Sequence, residues 1–328
     1  MKFRGAKTTE DGKNCWRGKP WKRIALSGAF LFVASACFAA DKSASLSTVI
    51  SPVDMMRRVA QNELRAASDE SNRLLFRGVK TTPKGTATRL YVETRQATAG
   101  EMIAENGQPL SRDQRLAEES RIERFINNPS ELKKKCDQDR ETADRTLKIV
   151  KALPEAFLFD YAGEQAGSEA IGRAGAKLVK LAFRPNPAYQ PPSRLEEVLT
   201  GLEGYVLIDP KQFRLATIDG TLTKEVAFGW GVLGHLNRGG RFLVQQAEVG
   251  DNLWQVSTVS FNFTGKVLMV KTINVNASEV FSGFQRIPAE LTFVQALEFM
   301  KHQSSALAAG MVANSVASNL KARAVALP

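Results

Sequence analysis

Residues 228 to 240 read FGWGVLGHLNRGG, and the structure of this glycine-rich stretch separates a nucleotide-binding fold from an antiparallel sheet. Gly229, Gly231 and Gly234 match the spacing G-x-G-x-x-G, which in dinucleotide-binding folds joins a strand to a helix inside a parallel unit. The next segment, RFLVQQAEV, has the pattern of a strand and not of a helix. The sequence therefore predicts a glycine-bearing hairpin loop and no nucleotide or other cofactor.

The same pattern extends outward from the loop over residues 203 to 286. Short β-like segments alternate there with turns such as Asp219-Gly220, Gly250-Asp251 and Thr264-Gly265. Connections this short join antiparallel neighbours, because a parallel crossover needs a dozen or more residues. We predict a continuous antiparallel meander in which the loop joins TKEVAF directly to RFLVQQAEV.

The late segments LWQVSTVSFNF and KVLMVKTINV carry apolar residues on both faces if alternation is strict. Val259 and Phe261 then oppose Trp254 and Val256. An antiparallel sheet with one wet face would alternate apolar and polar residues, so we expect cover on both sides. The predicted fold class is α+β: a curved antiparallel half-barrel of about a dozen strands, folded partly around an apolar cavity.

Helices are predicted around this sheet. The pattern indicates an N-terminal helix, a charged two-helix insertion divided at Asn128-Pro129, and a C-terminal helix, at residues 51–67, 111–152 and 291–303. The thin apolar stripe of the insertion predicts solvated outer faces. We expect a single domain over residues 40–303, followed by an Ala/Ser-rich flexible tail at residues 304–328.

The first 39 residues have the features of a secretory signal peptide. Lys22 and Arg23 precede an apolar run that is too short to span a bilayer and ends in small residues. Cleavage after Ala39 is predicted, which makes the chain an exported protein, periplasmic or associated with the outer membrane. Two alternatives remain open: an uncleaved anchor helix, and lipidation of Cys37.

Motifs for chemistry are scarce in this chain. Six of the eleven net positive charges lie in residues 1–39, and no basic stripe interleaved with aromatic residues follows, so no nucleic acid is expected as a partner. With two histidines and the single later cysteine Cys136, the sequence predicts no metal site and no catalytic residues. The one alternative that the sequence leaves open is acid–base chemistry by the carboxylate pairs Glu196–Glu197 and Asp219–Glu225.

Three stretches carry a resemblance to known proteins: FRPNPAYQPPSR, GYVLIDPKQFRLATIDGTL and FGWGVLGHLNRGGRFLVQQAEVGD. They resemble a secreted bacterial family labelled as outer-membrane lipoprotein-sorting proteins. The overall architecture is distantly similar to the lipoprotein-carrier half-barrel superfamily (LolA/LolB-like). This resemblance implies a protein without enzymatic activity that binds an apolar ligand, a lipid or a lipoprotein acyl chain, in a half-barrel cavity.

Apolar side chains in and beside the glycine loop indicate where such a ligand would enter. We predict that Phe228, Trp230, Leu233 and Trp254 lie near the mouth of the cavity. The alternative is an envelope scaffold or sensor that acts through contacts with a protein partner and holds no ligand. In that case the same side chains plug one end of the core.

Overall fold

The computed structural model describes residues 50–69, 71–228, 234–267, 271–301 and 303. The predicted signal peptide with Cys37, the predicted tail, and residues 229–233 of the glycine loop lie outside these ranges. The helices are α1 (Pro52–Ala67), α2 (Arg112–Asn127), α3 (Pro129–Ala156), the short α4 (Arg194–Glu197) with a 3-10 turn at Val198–Gly201, and α5 at residues 293–301.

Thirteen strands form one sheet, and every strand pairing in it is antiparallel. The strands are β1 (Arg73–Thr82), β2 (Gly85–Glu93), β3 (Thr98–Glu105), β4 (Gln108–Pro109), β5 (Phe157–Ala166), β6 (Lys177–Pro185), β7 (Leu202–Asp209), β8 (Arg214–Leu222), β9 (Val226–Phe228), β10 (Gly234–Leu236), β11 (Arg241–Glu248), β12 (Trp254–Val267) and β13 (Lys271–Ile287). Their order is β4-β3-β2-β1-β13-β12-β11-β8-β7-β6-β5, so the sheet does not close on itself. The predicted α+β fold with a curved half-barrel sheet is confirmed.

The meander prediction is wrong in one respect. β8 pairs with β11, whereas β9 and β10 pair with each other and β10 continues onto the end of β12. The segment between β8 and β11 is therefore a side hairpin. Backbone hydrogen bonds from Leu222 N–H to the Gly240 oxygen (2.7 Å) and from Gly239 N–H to the Leu222 oxygen (2.8 Å) extend the β8–β11 ladder past it.

The two insertion helices begin and divide where the sequence indicates, and the second runs past the predicted end at residue 152 to Ala156. Ser111 and Gln114 form a capping box at the start of α2, and the Asn128 side chain caps α3, with Pro129 in its first turn. Most of the charged residues of α3 are exposed. The helix also connects two distant places in the sheet, because its Asp139 accepts a hydrogen bond from Thr98 N–H of β3 and its end leads into β5.

Helix α2 covers the edge of β3 with side-chain hydrogen bonds. The Glu118 carboxylate accepts from Met102 N–H at 2.7 Å, and an Arg121 guanidinium nitrogen donates to the Gly100 oxygen at 2.5 Å. Burial would raise the pKa of Glu118, but the hydrogen bonds from Arg121 and Met102 outweigh it and lower the pKa. These bonds satisfy backbone groups that an edge strand otherwise leaves open to pairing.

Between β8 and β11 the sheet opens at one end. Their pairing stops at Thr217 and Gln245, and the backbone of Gln246 instead accepts a hydrogen bond from Gly172 of the β5–β6 connection. On the β8 side, Leu215 N–H donates to Glu63 of α1 at 2.9 Å. One helix and one loop therefore fill the gap between two strands, and α1 is fixed to the sheet there.

The described residues from Pro52 onward form one compact unit, in which Met56, Val59, Phe293 and Met300 are fully buried. No helix within the described residues has the length and hydropathy needed to cross a membrane.

Candidate functional site

The register of β11, β12 and β13 separates their side chains into an apolar and a polar face. Phe242 lies opposite Phe261, and Phe263 lies opposite Val275. Because side chains alternate along a strand, one side, which we call the apolar face, carries Phe242, Val244, Val256, Val259, Phe261, Phe263, Val275 and Phe281. The other side, the polar face, carries Thr258, Ser260, Asn262, Thr264, Asn274, Asn276 and Ser278.

Two side chains of the apolar face remain substantially exposed. The exposed fraction is 39% for Phe261 and 42% for Val275. The extensive contacts of β12 and β13 are with each other and with β1, β10 and β11, and not with the described helices α1 to α4. The apolar face thus offers hydrophobic surface at the middle of the sheet.

This arrangement corrects the prediction that the late strands are apolar on both faces. A register shift opposite Gln245 and Gln246 inserts one extra residue, Ser257, into β12. Val256 therefore shares a face with Val259 and Phe261 instead of opposing them. Of the other residues assigned to the second face, Trp254 precedes Val256 by two residues and changes face with it, and Leu268 and Val270 lie outside the described residues.

An aromatic cluster extends the apolar face across β13, β1 and β2. Phe76 stacks on Tyr91 and on Phe284, with ring centroids 5.3 and 5.5 Å apart, and meets the edge of Phe281 at 5.8 Å. Gly78 leaves room for these rings, because a Cβ atom there would lie 2.8 Å from the Tyr91 ring. Neither Phe76 nor Phe281 was predicted as a site residue, although the alternation of residues 271–287 is visible in the sequence.

One polar pair lies within this cluster. The Tyr91 hydroxyl donates a hydrogen bond to Glu279 at 2.8 Å. Burial, together with the nearby Glu279 carboxylate, raises the pKa of Tyr91 to about 12. The neutral phenol donates its proton to the carboxylate beside apolar rings, and the raised pKa shows that burial and this hydrogen bond both disfavour ionisation.

Two of the residues predicted to share a cavity mouth, Trp254 and Phe228, lie near different ends of β12. Trp254 begins the strand, whereas the Phe228 backbone pairs with Gly234, which pairs with Val267 at the other end. At about 3.3 Å per residue, roughly 40 Å of strand separates the two ends. The side chain of Phe228 and all of Trp230 and Leu233 lie outside the described residues.

Trp254 is largely buried, with 5% of its surface exposed. It packs in a cluster with Leu178, Leu207 and Ala216, and its indole Nε1 donates to Gln212 at 2.6 Å. The Arg214 guanidinium lies 5.5 Å from the centre of its ring. Trp254 therefore joins a hydrophobic cluster to a polar region at its end of the sheet.

A pocket of about 450 Å³ opens at this end. Its walls come from the end of α1, the first residues of β1, the last residues of β2 and β13, and the β11–β12 turn. Arg73, Arg214, Arg286 and Glu93 are among its lining residues. Burial raises the pKa of Glu93, although the backbone N–H of Leu74 and the nearby Arg73 oppose this shift.

Three of the four carboxylates that the sequence left open for acid–base chemistry have structural partners, whereas the buried Glu197 Oε2 atom has no hydrogen-bond partner among the residues that the structure describes. Asp219 accepts two hydrogen bonds from Arg241, at 3.0 and 2.6 Å, and Glu196 accepts one from Ser193 at 2.7 Å. Glu225 lies 4.0 Å from the imidazole of His235. Within the described residues, no group of three or more His, Cys, Asp and Glu side chains is arranged to hold a metal ion.

Comparison with known proteins finds structural neighbours at low sequence identity. No family model matches the chain, and no curated protein matches it in sequence. An outer-membrane lipoprotein-sorting protein domain from Vibrio parahaemolyticus is similar at 10% identity and a TM-score of 0.26, over 70% of this chain and 93% of that one. A DUF1329 family protein from Desulfovibrio piger is similar at 10% identity and a TM-score of 0.32, over 74% of this chain and 96% of that one.

A third neighbour is MucB in the MucA/MucB complex of Pseudomonas aeruginosa, at 11% identity and a TM-score of 0.21, over 75% of this chain and 96% of that one. The first of these neighbours is described as an outer-membrane lipoprotein-sorting protein domain. This is also the label of the family that the three sequence stretches resemble.

Proposed function

We propose that this chain is an exported envelope protein without enzymatic activity that binds an acyl chain, from a lipid or a lipoprotein, along its apolar face. The observation that carries the proposal is the exposure of Phe261 and Val275 on the same face of two long central strands. Contiguous apolar surface of this kind is uncommon on monomeric proteins unless a partner or ligand covers it.

The dimensions of the apolar face suit an extended acyl chain. From Val256 to Phe263 the face runs along seven residue steps of β12, or roughly 20 Å. One leaflet of a bilayer, half of the roughly 30 Å hydrocarbon core, needs about 15 Å of acyl chain. A single chain laid along β12 would thus contact apolar side chains over its whole length.

Of the four residues predicted from the sequence, Trp254 lies at one end of β12, and the backbone of Phe228 pairs with β10 beside the other end. Trp230 and Leu233, outside the described residues, stay predicted contacts of the ligand. Export through the predicted signal peptide would bring the protein to the compartment where lipoproteins are sorted.

Two valines on one strand give a matched test of the proposal. Val275 and Val280 are exposed to similar extents, 42% and 49%. They are five residues apart, and because side chains alternate along a strand, they lie on opposite faces of β13. We expect Val275→Ser to weaken the binding of the fluorescent fatty acid cis-parinaric acid about fivefold, because methyl groups in contact with the chain are lost. Val280→Ser should leave the affinity unchanged.

A second variant, Phe261→Ser, should weaken binding at least as much as Val275→Ser. Equal affinities for Val275→Ser and Val280→Ser, or no uptake of the fatty acid by the wild-type protein, would contradict the proposal. The scaffold or sensor alternative would then take its place, with the apolar face as the contact surface for a protein.

A further inference from the structure

The apolar face ends in a polar pocket on two neighbouring strands. On β12, Val256 belongs to the apolar face, and Trp254, two residues earlier, lines the pocket. On β13, Phe284 belongs to the aromatic cluster, and Arg286, two residues later, lines the pocket. Residues two apart project on the same side of a strand. The pocket therefore adjoins the end of the apolar face, and Gln255, whose register places it on the opposite side of β12, lines it too.

The charged side chains of this pocket are mixed in sign. Three guanidinium groups and three carboxylates line it: Arg73, Arg214 and Arg286, with Asp69, Glu93 and Asp251. Guanidinium groups bind phosphate oxygens through parallel hydrogen bonds, whereas carboxylates accept hydrogen bonds from an ammonium group or hydroxyls. This composition complements a group that itself carries both charges.

The three arginines are held with different strength. Arg214 is largely buried and bound by Glu63, whereas Arg286 is half exposed and lies 3.4 Å from Asp251, which is itself 82% exposed. Exposed pairs of this kind are weak, so Arg286 can exchange Asp251 for another anion at little cost. Arg286 is therefore the guanidinium best placed to bind an incoming phosphate.

We propose that the pocket of about 450 Å³ binds the zwitterionic head group of a phospholipid, a phosphodiester with an ammonium group, whose acyl chain lies on the apolar face. The inference rests on the proposed function and specifies its ligand as an amphiphile. The volume lies within the range typical of small-molecule sites. The phosphate meets Arg286 and Arg73, and the ammonium group meets the pocket carboxylates.

The test compares three probes: dihexanoyl-phosphatidylethanolamine, dihexanoylglycerol with the same acyl chains and no head group, and free phosphoethanolamine. We expect the wild-type protein to bind the phospholipid more tightly than dihexanoylglycerol, and both more tightly than phosphoethanolamine. Arg286→Gln should weaken phospholipid binding about tenfold and leave dihexanoylglycerol binding unchanged, since only a charge-assisted contact is removed.

Arg77→Gln is the matched control. Arg77 is also exposed on the β1–β13 pair, where it donates to Ser282, outside the pocket. Arg77→Gln should alter the binding of neither lipid.

Equal binding of the two lipids by the wild-type protein, or an equal loss for both lipids in Arg286→Gln, overturns the head-group inference but leaves acyl-chain binding intact. Tight binding of phosphoethanolamine alone overturns it in favour of a soluble ligand, and binding of none of the three overturns the proposed function as well.

Discussion

Glu63 of α1 and Arg214 of β8 form a two-point ion pair, with Arg214 nitrogens 2.8 and 3.1 Å from the two carboxylate oxygens. The same carboxylate accepts from Leu215 N–H at 2.9 Å and from the Gln246 side chain at 3.2 Å. Four donors from β8 and β11 therefore converge on one glutamate at the place where these strands separate. This glutamate replaces the strand-to-strand hydrogen bonds that are missing there.

Glu63→Ala should lower the free energy of unfolding by about 3 kcal/mol, because it leaves the Arg214 charge and the Leu215 N–H without their partner. Both side chains of the pair are largely buried, at 15% and 11% exposure. Chemical denaturation measures the loss. Glu155→Ala, which removes an exposed pair with Arg57 at 3.5 Å, is the control and should change stability by less than about 0.5 kcal/mol. Equal effects of the two substitutions would show that Glu63 is not a structural anchor.

Glu118→Ala should lower the free energy of unfolding by about 2 kcal/mol at neutral pH, since Met102 N–H and Arg121 lose their acceptor. The pKa of Glu118 is lowered in the folded state, so its contribution is present above its ordinary value of 4.5 and disappears as pH falls through the lowered pKa. Urea titrations at several pH values should show the variant and the wild type converging in acid. Its neighbour Glu119 is exposed, so Glu119→Ala is the control. Its free energy of unfolding should equal that of the wild type at neutral pH and in acid.

Glu93→Gln should have the opposite dependence on pH. Burial raises the pKa of Glu93 above its ordinary value of 4.5, so the folded state holds this proton more tightly than the unfolded chain does. Glu93 therefore favours folding most below pH 4.5, and this contribution is lost as pH rises through the raised pKa. Relative to the wild type, the variant should gain stability in denaturant titrations as pH rises from 4.5 through the raised pKa. A difference that is constant over this range would contradict the shift.

The mature chain is expected to begin at Ala40. Lys22 and Arg23 before a short apolar run ending in small residues are typical of a cleaved signal peptide. Intact mass spectrometry of protein purified from the periplasm measures the start directly. A mass that begins at Met1 would contradict export by this signal, and a diacylglyceryl-sized increment on Cys37 would identify a lipoprotein.

Much of the fold could be predicted from local patterns. Short connections such as the five-residue one around Gly250-Asp251 allow only antiparallel neighbours, and the Asn128-Pro129 cap divides two helices that form as expected. These features can be predicted from a few consecutive residues, because the conformation of a turn or a helix cap depends on the side chains beside it. The fold class and the charged helices followed from the sequence for this reason.

The faces of the sheet and the site required the tertiary structure. The extra residue at Ser257 exchanges the faces of β12, so that Val256 joins Val259, and alternation alone cannot show where a strand gains a residue. The pairing of β8 with β11 depends on contacts between residues far apart in the chain, such as Leu222 with Gly240. The sequence by itself determined which segments are strands and helices, because local propensity and turn chemistry govern them. Only the tertiary structure decided which side chains share a surface, because register is set by partners that the local pattern does not contain.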